Sequence, residues 1–493
     1  MGRGEPGAVI GIDIGTTGVK AILVDPEQGL LAQTTRSNDL LSRCAGWAEA
    51  DPHQWAAHVD SALAQLGAAA GSRPIAAIAT TGMVPAVLPL DADGRPLRPA
   101  ILQNDARAGA EVQELAEAID QSALLAATGS VLSQQSVAPT ALWLARHEPE
   151  TWRRARAIVG SYDWLLSSLG APVHVERNWA LESGLFTLAG EEFAPITGAV
   201  PGLAERLAPV RRPGEVVGSL DTAAARRTGI PAGTPLVVGG ADHVLSAYSA
   251  GLGELGDWLV KLGGAGDILA ISAEPVSDAR FFLDEHPLPG LWLPNGCMAT
   301  SGSLVRWVQS TLRIADLARM DDEAAARPAA EVLCLPYFLG EKSPLHDADL
   351  RGVFAGMHLG HDAVDLYRGA LEGIAFGFRH NAETLRERGV RLEHATVTNG
   401  GATSLLWKQI HASVLGTPLD TVRDHPGASL GAAFAAGRGV GIFSEWTDPL
   451  ALVRRGDTID PVETLLPRYD EAYGLWRELA EVSGATMRAL ARR

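Results

Sequence analysis

Two short runs of apolar, mostly β-branched residues, Val9 to Ile14 and Val19 to Val24, flank Gly15-Thr16-Thr17-Gly18. That pattern predicts a tight β-hairpin. Pro26-Glu27-Gln28-Gly29 then turns the chain into a third strand near Leu30 to Thr34. Asp51 caps a helix with proline at its first position and Trp55, Val59, Leu63 and Leu66 on one face. Strand-like runs follow at Ile75 to Thr80 and Val87 to Leu90, separated by the turn Gly82-Met83-Val84-Pro85. Residues 100 to 107 follow another strand-like pair, and 109 to 119 carry a helical period. Between 120 and 230 the pattern resists division; Trp143, Trp152, Trp164 and Trp179 are assigned there to core packing. Leu236 to Gly240 is a clean strand ending in Ala241-Asp242-His243.

Roughly 245 residues after the first hairpin its logic recurs: Trp258 to Leu262, the turn Gly263-Gly264-Ala265-Gly266-Asp267, and Ile268 to Ile271. Two such units predict a duplicated core, one copy per domain, with a cleft between them and a boundary near 245 to 256. The expected division is 1–248 and 249–493, and the class is α/β. Further on, Asp362 caps a helix with Leu366, Ala370, Leu371, Ile374 and Phe378 on its apolar face. Gly369, Gly373 and Gly377 form a smooth stripe on the same helix, and each interior glycine costs about 1 kcal/mol relative to alanine. The stripe implies a closely packed backbone, for which the small-residue segment Gly427 to Ala433 is the expected neighbour. Ala395 to Asn399 reads as a strand running into Gly400-Gly401-Ala402, with a helix from about Leu405, and 467 to 492 reads as a surface helix.

The chain of 493 residues is long enough for two to four domains at roughly 150 residues each. A net charge of −17 without a basic block argues against nucleic acid or an anionic membrane as partner. Any phosphate must then be held by a metal, backbone amides and a few local cations. Cys44, Cys297 and Cys334 are widely spaced, so neither a disulfide framework nor a zinc site is indicated; buried free thiols are expected. No run of about 18 apolar residues occurs and no leader pattern stands out, so a cytoplasmic location is expected.

An aspartate, two hydroxyls and two glycines at one hairpin tip suit an oxyanion and its metal. Asp13 is placed to hold Mg2+, directly or through water. The three glycine-rich strand ends, 15 to 18, 263 to 266 and 400 to 402, match neither a Walker A loop nor a Rossmann fingerprint. They allow a nucleotide in an interdomain cleft, its phosphates between the hairpins and its adenosine over Gly400-Gly401. Phosphoryl transfer to a hydroxyl needs a carboxylate to take the proton, and Asp242, ending a strand beside the hinge, fits that role; a helix-capping aspartate is the alternative. His243 reads as a polar neighbour, Asp267 as a turn residue or a ligand contact, and Lys20 as solvated or paired in strand alternation.

Together these motifs resemble the FGGY family of carbohydrate kinases within the actin-like fold. The resemblance runs from Gly11-Ile12-Asp13-Ile14-Gly15-Thr16-Thr17 with Lys20, through Trp47 to Pro52 and Asn104-Asp105-Ala106-Arg107, to Gly239-Gly240-Ala241-Asp242. It continues in Leu335 to Pro344 with Arg351-Gly352, and in Gly400-Gly401-Ala402 with Trp407-Lys408-Gln409. It implies two actin-like (ribonuclease H-like) domains closing over a sugar and MgATP, with Asp242 as general base and Asp13 and Asp242 at the Mg2+. It also implies nucleotide contacts from Gly15, Thr16, Thr17, Lys20, Gly263, Gly264, Gly266, Gly400, Gly401 and Ala402. Sugar contacts are expected from Met83, Val84, Pro85, Gln103, Asn104, Asp105, Asp242 and His243. The implied acceptor is a ketopentose such as xylulose; another pentulose, a sugar acid such as gluconate, or a polyol are the alternatives, and a homodimer is a candidate assembly. Met83-Val84-Pro85-Ala86 stands where xylulokinases carry Gln-Met-His-Gly, and Gln103 where tryptophan is usual, so the acceptor site departs from that pattern. The turn 263 to 266 also lacks the family's threonine and serine. A reading from another class is a non-catalytic actin-like nucleotide switch.

Overall fold

The computed structural model describes residues 7–44 and 46–492. Its first sheet contains β1 (Ala8–Ile14), β2 (Gly18–Asp25), β3 (Gly29–Ser37), β4 (Ile75–Gly82), β5 (Val216–Ser219) and β6 (Pro235–Ala241), in the order β5-β6-β4-β1-β2-β3. The second contains β7 (Asp257–Leu262), β8 (Gly266–Ala270), β9 (Phe282–Glu285), β10 (Trp292–Met298), β11 (His394–Thr398), β12 (Leu419–Val422) and β13 (Arg455–Ile459), in the order β9-β10-β8-β7-β11-β12-β13. From β1 outward, β2 and then β3 are antiparallel on one side, β4 and β6 parallel on the other, and β5 closes antiparallel. From β7 the same directions recur through β8 and β10, then β11, β12 and β13. The two glycine-rich hairpins therefore occupy the same place in two copies of one topology, with β9 added at the edge of the second.

The helix expected after Asp51 forms as α1 (Pro52–Ala70) and buries Trp55, Val59, Leu63 and Leu66; the Asp51 side chain accepts from the His53 amide, a cap that stabilises by about 1 kcal/mol. The undivided region 120–230 supplies several short helices, among them α2 (Arg177–Glu182), and the four tryptophans named there are buried. α3 (Asp242–Ser249) follows β6 directly, and α4 (Ala363–Glu387), α5 (Leu405–Leu415), α6 (Ala428–Gly439) and α7 (Leu466–Ala491) belong to the second half.

The glycine stripe of α4 meets a different backbone from the one expected. A Cβ on Gly369 would lie 2.7 Å from the Val332 carbonyl oxygen, and one on Gly373 only 2.2 Å from that of Cys334, so the stripe seats the strand Leu333–Leu335. Gly377 makes room for the Met298 methyl group. The segment 427–433 instead starts α6, which crosses to the first sheet: a Cβ on Gly11 of β1 would sit 2.0 Å from the Ser429 carbonyl oxygen, and one on Gly431 2.3 Å from that of Leu245 in α3. Small residues on α6 are thus spent on closing the two halves together, with Val9, Ala79, Val237, Leu245, Ala433 and Phe434 forming an apolar layer between them. The last helix has an inward face: Tyr469, Tyr473, Trp476 and Met487 are buried, and the Trp476 indole donates to the Cys334 carbonyl at 2.8 Å. The cysteines are free, but only Cys334 is buried; Cys44 is exposed and Cys297 half-buried, which corrects the expectation of three buried thiols.

Candidate active site

Asp13 lies one residue from the end of β1, directly across from Lys20 on β2. The turn between them closes through the Gly15 amide on the Gly18 carbonyl, 2.9 Å, and Asn38 Nδ2 pins the Gly15 carbonyl at 3.0 Å. Asp13 Oδ1 is buried without a hydrogen-bond partner. Burial, reinforced by the charge of Asp242 and opposed by Lys20 and Lys261, pushes the Asp13 carboxyl up to about 7. In the second sheet the same register position holds the reverse pair: Lys261 on β7 faces Asp267 on β8, Nζ to Oδ2 3.0 Å.

Asp242 is aimed by a β-bulge. In the pairing of β6 with β4, Val238 faces Thr80 and Gly240 faces Thr81, so Gly239 is the extra residue. A Cβ there would lie 1.9 Å from the Thr80 carbonyl oxygen, which only glycine avoids. Asp242 then opens α3, not as its cap but as its first residue, and Oδ1 accepts from the His243 amide at 2.6 Å. His243 continues the network: Nδ1 lies 3.3 Å from Asp242 Oδ1, and Nε2 2.8 Å from Asp284 Oδ2 and 3.4 Å from Glu182. Asp284 comes from β9 and is fixed by Asn295 Nδ2 at 2.8 Å. Burial would strip the proton from His243, yet Asp284, Asp242 and Glu182 outweigh it and hold the imidazolium well above the usual histidine range. Burial likewise disfavours the Asp242 carboxylate, but the hydrogen bond from His243 and the charge of Lys261 win and hold the carboxyl at about 2.

Asp242, His243, Glu182 and Asn295 line a cavity of about 210 Å³ between the halves, together with Met83, Val84, Gln103, Gln135, Lys261, Asp267, Phe282, Cys297 and Lys342. Gln103 Oε1 and Glu182 Oε1 are buried without a hydrogen-bond partner. A chamber of this size, walled by amides, carboxylates and two lysines, takes a small polyhydroxylated molecule.

Of the expected sugar contacts, Met83, Val84, Gln103, Asp242 and His243 meet at this cavity. Pro85 is buried outside its lining, and Asn104 is exposed away from it. Asp105 has a structural task instead: it accepts from the Ala48 amide at 2.6 Å and from Arg107 through both oxygens at 2.8 Å. Arg107 in turn bonds Glu49 at 2.7 Å and lies over the Trp47 ring at 3.8 Å, so the motif 104–107 clamps the wall rather than the ligand.

Of the expected nucleotide contacts, Gly15, Thr16 and Thr17 form the first turn, and Thr16 Oγ1 lies 3.8 Å from Met83 Sδ. Lys20 is drawn off by the Pro426 carbonyl at 2.9 Å, and lines a separate groove of about 490 Å³ between the halves. Gly263 and Gly264 give their carbonyls to the amides of Gly302, Ser301 and Ser303, which leaves N–H groups for the turn to offer. Gly266 faces the ring of Phe378, and Gly401 packs on Trp407 and Leu262, so both serve close packing. Gly400 is open, Ala402 half-buried, and α5 begins beyond them, capped by Ser404. The second and third glycine turns are neighbours because β7 and β11 are adjacent and parallel.

Glu182, Asp284, Asn295 and Gln135 had no signal in the chain; Lys261 was legible only as the register partner of Asp267, and Lys342 only within the resemblance at 335–344. Two clusters among the described residues have metal-like composition, Glu182-His243-Asp284 and Glu331-His358-His361. In the first, His243 carries protons on its nitrogens. In the second, both Nδ1 atoms accept backbone N–H bonds, at 3.0 and 3.1 Å, which puts the ring protons on Nε2 facing Glu331. Neither set presents the free nitrogen lone pair a metal requires.

Residues 8–249 match the N-terminal domain of the FGGY family of carbohydrate kinases, and residues 260–440 match its C-terminal domain. The chain belongs to the FGGY family of carbohydrate kinases. It is similar to the crystal structure of xylulose kinase from Rhodospirillum rubrum, with 39% identity and a TM-score of 0.90 over 97% of this chain and 99% of that one. The xylulose kinase of Escherichia coli K12 is 29% identical over 438 residues, 87% of this chain and 88% of that protein. The glycerol kinase of Plasmodium falciparum shares the fold at a TM-score of 0.87 and 18% identity, covering 96% of this chain and 97% of that one. As an FGGY carbohydrate kinase the protein transfers a phosphoryl group to a sugar, and its two repeated sheets are the two halves of that kinase fold. No helix among the described residues is long and apolar enough to cross a membrane.

Proposed function

We propose that the protein phosphorylates a ketopentose, xylulose first among them, at the expense of MgATP, with Asp242 as general base. The observation that carries this reading is Asp242 held ionised by His243 on the wall of a small polar cavity, with Asp13 on the same sheet two strands away and near enough to feel its charge. The names of the relatives support xylulose, and the polar lining supports a sugar of that size. Residues 1–248 supply the base and half of the cavity wall, and residues 249–493 supply the other half, Lys261, Asp267, Asn295 and Lys342 among them. Three free thiols and the absence of a basic surface block fit a cytoplasmic enzyme.

The buried, unpartnered Oδ1 of Asp13 fits Mg2+, and Asp242, whose charge reaches Asp13, would share the ion through water. Bound there, Mg2+ would neutralise phosphate charge. Asp242 accepts the proton of the attacking hydroxyl, and His243 keeps that carboxylate oriented and charged until it does. Gln103, Gln135 and Asn295 orient the sugar, and the glycine turns offer N–H groups to the phosphates. A coupled ADP-release assay over pentuloses, sugar acids and polyols tests the reading. Xylulose should be turned over fastest, and Asp242→Asn should lose about 10³-fold in kcat while still binding nucleotide. Retained turnover in Asp242→Asn removes Asp242 from the role, and a preference for gluconate or a polyol replaces the acceptor.

A further inference from the structure

We infer that Lys261 is a further catalytic residue, its ammonium group contacting the phosphoryl group in transit from the second domain's side of the cleft. The inference rests on the kinase reading above. Lys261 holds in β7 the register position that Asp13 holds in β1, and the two repeats face one another across the cleft. It lines the cavity that contains Asp242, and its charge is felt by both Asp13 and Asp242. Asp267 is its ion-pair partner, at 3.0 Å, and an ammonium group has three donors. Asp267 and Asp242 outweigh its burial and keep the ammonium charged, which leaves its remaining donors for an anion arriving in the cavity. The adjoining turn, Gly263-Gly264-Ala265-Gly266, has no side-chain donor of its own, so the second repeat's contribution to phosphate binding falls to backbone N–H groups, Lys261 and Arg306, whose guanidinium lies beside Gly264.

In the step itself the acceptor oxygen forms a bond to the γ-phosphorus as the bond from that phosphorus to the bridging oxygen breaks. The electron pair leaves with ADP, and the acceptor proton passes to Asp242. Lys261 stays protonated throughout and stabilises the charge on the transferring oxygens.

Lys261→Met, Lys261→Arg and Asp267→Asn test this on the full chain, by steady-state kinetics and by binding of AMP-PNP and ADP with Mg2+ and no sugar. Lys261→Met should lower kcat on the order of 10²-fold with the sugar KM little changed. Its preference for AMP-PNP over ADP should fall about tenfold, equivalent to about 1.4 kcal/mol of γ-phosphate contact. Lys261→Arg should regain part of both. Lys261→Met that keeps kcat and the nucleotide preference, or that matches Asp267→Asn in losing only thermal stability, overturns the assignment. If Lys261→Met does not fold, the same readouts on Lys261→Gln decide. Should the wild type phosphorylate no carbohydrate, the kinase reading fails on that assay, while the sugar-free nucleotide preference still settles Lys261.

Discussion

Superposed by register, the hairpins β1–β2 and β7–β8 share strand directions and a glycine turn, but their charged pair is reversed: Asp13 with Lys20 in one, Lys261 with Asp267 in the other. They differ again two residues earlier, where β1 has Gly11 and β7 has Leu259. Gly11 admits the backbone of α6, whereas Leu259 fills an apolar core. Repeating a scaffold therefore did not repeat its chemistry. We propose that the carboxylate serves the metal and the ammonium the transferring phosphate, from equivalent positions in the two repeats.

The comparison breaks most visibly at Asp13. Asp13→Asn should cost on the order of 10³-fold in kcat if it alone holds the metal side. The same substitution should stabilise the free enzyme. A carboxyl raised from its ordinary 3.8 to about 7 destabilises the fold when ionised, so the penalty is full above pH 7, declines as pH falls below 7, and is gone only near pH 4. Calorimetry should show a gain on the order of 4 kcal/mol at pH 8 and little at about pH 4; a loss at pH 8 would contradict the buried charge. Gly11→Ala comes next, with a Cβ 2.0 Å from the Ser429 carbonyl oxygen. Denaturant midpoints should register a cost of about 3 kcal/mol. Leu259→Ala should cost a similar amount by leaving a cavity, roughly 2 to 5 kcal/mol; a neutral Gly11→Ala would mean α6 can shift. Proton and metal compete at Asp13, so the Mg2+ concentration for half-maximal rate should rise roughly fivefold between pH 7 and pH 6. The smallest effect is at Lys20, held by the Pro426 carbonyl: Lys20→Met should lose less than about tenfold in kcat/KM. A loss as large as that of Lys261→Met would make the two lysines equivalent and dissolve the contrast.

Much of this was readable along the chain because it is local. The first hairpin, the Asp51 cap, the strand into Asp242 and the second hairpin follow from periodicity and turn chemistry over a few residues. The Gly239 bulge was visible only as glycines before Asp242, because a bulge is defined by the strand alongside. Asp105 shows a related limit: besides Arg107 close by, it holds the Ala48 amide from far along the chain, and a buried carboxylate clamped by arginine has the same local signature as one that meets a ligand. The α4 glycine stripe announced a close backbone without saying whose.

The sequence by itself determined the two-domain α/β repeat, the family and the two acidic residues at strand ends, since these depend on short-range pattern and motif order. Packing alone joins His243 to Asp284 and Glu182, places Lys261 at the position of Asp13 in the second repeat, and turns Lys20 away to Pro426. The His243–Asp284 and Lys20–Pro426 contacts join the two halves, and His243–Glu182 links distant parts of the first. Their charges are set by burial and by neighbours at about 3 Å, quantities that exist only once the two sheets have packed.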